Sequence, residues 1–319
     1  MLNICYFCTK KYKPTSGKET TLEKATIILD KLSIGYASML SRRVVAEGID
    51  TALFAGELTC LIGANGAGKS TLLRTLAGFL PALEGEVRLR ISEVSQSAVS
   101  DSCPDFSVGQ PSAASLGEYR SMADCTPREL ARRIGVVLTD KPDVVAMRVG
   151  EMLGIARSPY TNFWGRLSRL DKAVVEDSLA QVGIRDFGER WFHTLSDGEK
   201  QKVMIAKALA QQTDIILLDE PTAFLDYPSK VEVLLLLRRL AHELHKTILL
   251  STHDLELALQ LADKLWLMGG EKNGQLAVGT PRQLADNGLL SRFIDRDGIR
   301  LDAASLRIHV THFGISAFQ

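Results

Sequence analysis

"GANGAGKST", residues 63–71, follows the apolar run "LTCLI" (58–62) and opens the helix-forming stretch "KSTLLRTLAGFL" (69–80). A strand, a glycine-rich loop ending in Gly-Lys-Ser, and then a helix is the context that a phosphate-binding P-loop requires. Glycines let the backbone curl until successive N–H groups point at phosphate oxygens, and the helix N-terminus adds a favourable dipole. Gly63, Asn65, Gly66, Ala67 and Gly68 then form the cradle, and Lys69 reaches the β- and γ-phosphates. Ser70 is placed to ligate Mg²⁺, and Thr71 to support the α-phosphate.

The rest of the chain is consistent with a large globular protein built around that loop. Its 319 residues are 45% hydrophobic, enough for one large α/β domain or two modest ones. Thirty-eight basic residues balance thirty-eight acidic ones, so no bulk charge favours nucleic acid or an acidic membrane surface. The longest aliphatic run, 231–237 apart from Glu232, is far short of the roughly 20 residues that span a bilayer. In "MLNICYFCTKKYKP" the lysines come after the apolar residues, which is not a secretory signal. Five scattered cysteines make no disulfide framework and fit reduced thiols in the cytosol.

Apolar β-branched runs alternate with helical patterns, which argues for an α/β fold. Strands are expected at 26–36, 58–62, 86–89, 214–219, 246–252 and 264–268. Helices are expected at "KSTLLRTLAGFL", "DKAVVEDSLAQVGI", "EKQKVMIAKALAQQ" and "SKVEVLLLLRRLAHELHK". From about Thr139 to Gln201 the patterns are helical, a subdomain inserted into the sheet-containing core. Residues 91–121 hold nine serines and no apolar period, and read as a long exposed loop or a partly disordered insertion.

Three further motifs bear on chemistry. "DIILLDEPT" (214–222) puts Asp219 and Glu220 at the end of a buried strand, Asp219 placed to hold Mg²⁺ and Glu220 to orient or deprotonate an attacking water. Adjacent strand residues face opposite ways, so the strand end must bend for both to serve one site, and Pro221 offers a break. "STHDLELA" (251–258) sets His253 at a helix start, where an imidazole can hydrogen-bond a γ-phosphate. In "LSDGEKQ" (195–201), Ser196 and Glu199 form a capping box, yet Gly198 inside the first turn costs about 1 kcal/mol relative to alanine.

These four motifs, in this order and approximate spacing, resemble the ATP-binding subunits of ATP-binding cassette (ABC) transporters. The likeness covers residues 22–279. It implies a P-loop NTPase core with an inserted helical subdomain and a small antiparallel β subdomain, working as an ATPase. It divides the chain into a tail (1–21), a nucleotide-binding domain (22–279, with an inserted loop at about 91–127 and a helical subdomain at about 140–202) and a C-terminal extension (280–319). The resemblance further implies a head-to-tail dimer with two ATP molecules between subunits. Each site takes the signature residues Ser196, Gly198 and Glu199 from the other copy, Ser196 and Gly198 contacting the γ-phosphate, with Asp226 at the seam. Tyr36 resembles the aromatic on which the family stacks adenine. "MLGIARSPYTNFWGRLSRLDKAVVEDSLAQVGI" is similar to the subfamily serving iron(III)-siderophore, haem and vitamin B12 uptake. This implies transmembrane permease subunits, an indirect substrate-binding protein, and a place at the cytoplasmic face of the inner membrane. A soluble cassette acting outside transport is the alternative, and it usually carries two cassettes or a long coiled coil.

The sequence also departs from that family. Where a glutamine usually touches Mg²⁺ at the entry to the helical subdomain, "IGVVLTDKPD" (134–143) has Thr139, whose hydroxyl can ligate Mg²⁺ with a shorter reach, or pass the role to Asp140. Gln96 and Gln110 lack a preceding apolar strand. Asp197 and Glu199 replace a glycine and a glutamine, so their carboxylates must point away from a phosphate. Cys5 and Cys8, and His309 and His312, are isolated pairs that fall short of the four ligands of a zinc site.

Overall fold

The computed structural model describes residues 25–38, 41–91, 118–139, 146–161, 164–269, 276–296 and 298–310. Strand β3 (Leu58–Gly63) is buried at every position. Leu58, Cys60 and Ile62 enter one hydrophobic core, and Leu61 enters a second. A strand covered on both faces belongs in the middle of a parallel sheet, and β3 sits there. The six-stranded sheet has the order β10 (Leu276–Gly279), β9 (Lys264–Met268), β3, β8 (Thr247–Ser251), β7 (Ile215–Leu218), β6 (Ile134–Val137). All but β10 run parallel, so the carboxyl ends of β9, β3, β8, β7 and β6 share one edge.

A four-stranded antiparallel sheet, in the order β2 (Arg42–Phe54), β1 (Ala25–Ala37), β4 (Glu84–Arg90), β5 (Tyr119–Ser121), covers one side. Its Ile27, Leu29 and Leu53 pack with Leu72 and Leu76 of α1 (Lys69–Leu76) and with Trp266 to form the second core. This is the small antiparallel subdomain. Strand β2 escapes a reading of the sequence because its burial does not alternate, with Arg42, Arg43 and Val44 exposed in a row, and Gly48 interrupts it with φ 66. Helix α1 stops earlier than its apolar pattern, since Gly78 in the left-handed region turns the chain away.

The helical subdomain comprises α3 (Val149–Ile155), α4 (Arg169–Gln181) and α5 (Asp197–Ala210). Buried Arg157 pins it: Nε donates to Asp171 Oδ1 at 2.9 Å and Nη1 to the Ala210 carbonyl at 2.8 Å. The start of α4 and the end of α5 are thereby fixed to the turn after α3. Because α5 is one continuous helix to Ala210, a boundary at 202 would cut through it. Helices α6 (Tyr227–Glu243) and α7 (Leu255–Leu261) pack on the sheet, and Val233, Leu237 and Leu257 join the first core.

The inserted loop is shorter than 91–127. Its last residues form β5, whose Tyr119 hydroxyl donates to the Ala25 carbonyl at 2.9 Å, and α2 (Pro127–Arg133) starts from a Thr126–Glu129 capping box. Three strand residues carry too little periodicity to be read alone. The described residues of the C-terminal extension are packed rather than appended: α8 (Pro281–Asp286), α9 (Leu289–Ile294) and a hairpin of β11 (Ile299–Asp302) and β12 (Arg307–Val310) place Leu284, Leu290 and Leu301 in the first core. Among the described residues no helix is long and apolar enough to cross a membrane. Cys5, Cys8, Gln96, Gln110, Asp140 and His312 lie outside the described residues.

Candidate nucleotide-binding and hydrolysis site

The loop after β3 curls through Gly66 (φ 78) and Gly68 (φ 105), both in the left-handed region that favours glycine. A Cβ on Gly68 would overlap Val45 Cγ1 of β2, and one on Gly63 would stand 2.5 Å from the Met268 carbonyl oxygen. The two glycines therefore answer to tight packing as well as to ligand approach. Gly68→Ala is expected to cost about 1–3 kcal/mol through backbone strain, read as a lowered denaturant midpoint, together with weaker ATP binding.

Lys69 folds back over the loop, its Nζ donating to the Gly63 carbonyl at 2.8 Å and the Ala64 carbonyl at 3.3 Å. Burial pulls its ammonium below the usual lysine range, while the nearby Glu220 and Asp219 carboxylates act the other way. Among the described residues its hydrogen-bond partners are carbonyls alone, which leaves this buried cation ready for an anion. Tyr36, at the end of β1 and 45% exposed, reaches the loop through its hydroxyl, 3.2 Å from Thr71 Oγ1. Its ring is left open at the mouth.

Asp219 and Glu220 follow β7, and the expected bend lies at Glu220 itself, with φ 48. A non-glycine residue in that region costs about 1–2 kcal/mol. Ser251, fully buried at the end of β8, holds it: Oγ accepts the Glu220 N–H at 2.9 Å and donates to Asp219 Oδ1 at 2.6 Å. Glu220 Oε1 lies 2.7 Å from His253 Nε2, so base and histidine are one hydrogen-bonded pair. Asp254 ties this edge to α6, accepting from Thr222 Oγ1 and from Lys230 Nζ, each at 2.9 Å. The roles of Ser251 and Asp254 are absent from the sequence reading; both stand in "STHD", but their partners lie 24 to 32 residues away in sequence.

Thr139, two residues past β6, reaches the same edge, where its Oγ1 donates to the Asp219 carbonyl at 2.8 Å. Ser70 stands in the first turn of α1. Ser70 and Asp219 are hard oxygen donors, the set a Mg²⁺ ion takes together with waters and phosphate oxygens, so the residues present fit that ion.

Ser196 and Gly198 lie elsewhere, at the start of α5. Ser196 Oγ accepts the Glu199 N–H at 3.3 Å, and Glu199 Oε2 accepts the Ser196 N–H at 2.8 Å. Arg190 holds the other Glu199 oxygen at 3.0 Å. The Ser196 N–H above all, and Arg190 with it, keep this carboxyl below its ordinary range, so Glu199 is turned back on its own helix. A Cβ on Gly198 would sit 3.3 Å from Ser229 Oγ, so α5 and α6 begin side by side. Asp226 caps α6 by accepting the Ser229 N–H at 3.3 Å. Phe224 and Tyr227 flank Asp226 in the sequence and are 84% and 61% exposed.

A family model described as ABC transporter matches residues 46–223, more than half of the chain. The chain belongs to the ABC transporter family. It is an ATP-binding cassette subunit, an ATPase. It is 34% identical over 268 residues to the achromobactin transport ATP-binding protein of Dickeya dadantii, covering 84% of this chain and 87% of that one. To the hemin import ATP-binding protein of Streptomyces coelicolor it is 34% identical over 263 residues, 82% of each chain. The fold of this cassette matches a solved dimeric ATP-binding cassette bound to ADP and Pi, with TM-score 0.60 at 22% identity, covering 80% of this chain and 98% of that one.

Proposed function

We propose that two copies of this cassette clasp two ATP molecules between them and drive an importer for an iron chelate, a ferric siderophore or haem. The observation that carries this reading is the split of the motifs. Lys69, Asp219, Glu220 and His253 gather at one edge of the sheet, while Ser196 and Gly198 stand beside α6, bonded within their own helix. A γ-phosphate bound at the P-loop of one copy meets Ser196 and Gly198 of the other. The exposed Phe224 and Tyr227, beside Asp226, give the seam apolar area.

Within each site Tyr36 stacks the adenine, residues 63–71 hold the phosphates, and Ser70 and Asp219 hold Mg²⁺. When bound, the ion neutralises charge on the β- and γ-phosphate oxygens. Glu220 keeps Oε1 on His253 and uses Oε2 to take a proton from the water that attacks the γ-phosphorus, leaving ADP and inorganic phosphate. Nε2 of His253 then holds the carboxylate in line.

The cassette works at the cytoplasmic face of the membrane, on permease subunits that receive their cargo from a substrate-binding protein. A groove of about 800 Å³ suits a short apolar segment of such a permease. It joins the sheet side, through Phe79 and Val87, to α2 and α5, through Leu130 and Lys207. Phe79 is 60% exposed. The test is reconstitution with a permease in vesicles: ATP-dependent accumulation of a ferric siderophore or haem is expected. ATP hydrolysis that never moves any iron chelate would contradict the importer.

A further inference from the structure

The peptide between Asp219 and Glu220 is gripped from both sides. Its carbonyl accepts from Thr139 Oγ1 at 2.8 Å, and its N–H donates to Ser251 Oγ at 2.9 Å. Rotation of this peptide changes Asp219 ψ and Glu220 φ together, so its two hydrogen bonds set where the Glu220 carboxylate points. Glu220 sits at φ 48, a backbone state that persists only when its surroundings hold it. Ser251 belongs to the rigid sheet, but Thr139 does not: it follows the end of β6 at the entry to the helical subdomain.

Strand β6 is tied to the helical subdomain at its other end as well. Arg128 Nε and Arg132 Nη2 of α2, the helix that runs into β6, donate to the Pro159 carbonyl at 3.1 and 2.9 Å. Gln211 Nε2, just past α5, donates to the Ile134 carbonyl at 3.1 Å. A rotation of the helical subdomain therefore loads β6 at both ends, and the Thr139 hydroxyl is the direct bond from that strand's exit to the Glu220 peptide.

We propose that Thr139 is a positioning residue that aims Glu220 through the Asp219 carbonyl without ligating Mg²⁺. The inference rests on the reading of Glu220 as general base. The Thr139 hydroxyl spends its one proton on that carbonyl.

The experiment compares Thr139→Val, Thr139→Ala and Thr139→Ser in the full chain. Loss of the hydroxyl in the first two is expected to lower kcat about tenfold, the rate equivalent of one hydrogen bond. KM for ATP stays near the wild-type value, and Thr139→Ser restores kcat. Calorimetric titration of Mg²⁺ into each variant combined with Glu220→Gln and ATP is expected to give one unchanged affinity. Wild-type kcat in both Thr139→Val and Thr139→Ala overturns the proposal, and so does a Mg²⁺ affinity that falls in those two and returns with Thr139→Ser. Should Thr139→Val fold poorly, judged by circular dichroism, the smaller Thr139→Ala decides. Undiminished turnover in Glu220→Gln alone would remove the general base, a failure separate from that of the Thr139 bond.

Discussion

Glu220→Gln lowers ATP turnover by about 10²-fold or more, the size of a general-base contribution, while ATP still binds. The amide has the shape of the carboxylate, and its oxygen can still accept from His253 Nε2, which lies 2.7 Å from Oε1 in the native chain. The Ser251 and Thr139 bonds to the backbone of residues 219 and 220 are untouched by the change. Only the capacity to take a proton is lost. Single-turnover phosphate release reads the loss, and retention of a fluorescent ATP analogue reads the binding. Unchanged turnover would remove Glu220 from the chemistry.

Ser196→Arg abolishes ATP-dependent dimerisation and with it the activity of the composite site. Within its own chain Ser196 caps α5, and losing that cap costs about 1 kcal/mol, too little to unfold the domain. Between chains, a long side chain at the point where a second copy's γ-phosphate approaches wedges the seam open. A folded variant, shown by its thermal transition, that stays monomeric in ATP is therefore expected. A variant that dimerises normally would mean that residues 196–198 do not face the nucleotide.

Much of this site is legible in the sequence because its parts are contiguous. "GANGAGKST" after "LTCLI" fixes loop, strand and helix together, and the structure places Lys69 over the loop as that spacing requires. "LSDGEKQ" announces its capping box in four residues, and the box is formed. What escapes is held by partners far away in the chain. Strand β2 is defined by pairing with β1 rather than by its own alternation. The bend that the sequence assigned to Pro221 lies at Glu220, because the buried Ser251 hydroxyl can hold a left-handed residue there. Thr139 reads as a shortened metal ligand, while its bond to the Asp219 carbonyl, 2.8 Å from its hydroxyl and 80 residues away in the chain, is visible only in the fold. Gly198 reads as a gap for a ligand, and Ser229 also occupies that side.

The central claim is that each ATP lies between two copies of this chain. Light scattering of Glu220→Gln on a sizing column tests it most directly. In Mg²⁺ and ATP the account predicts a particle of two 35.0 kDa chains carrying two ATP molecules, returning to single chains in ADP. A single 35.0 kDa chain that holds ATP at saturating nucleotide would contradict it.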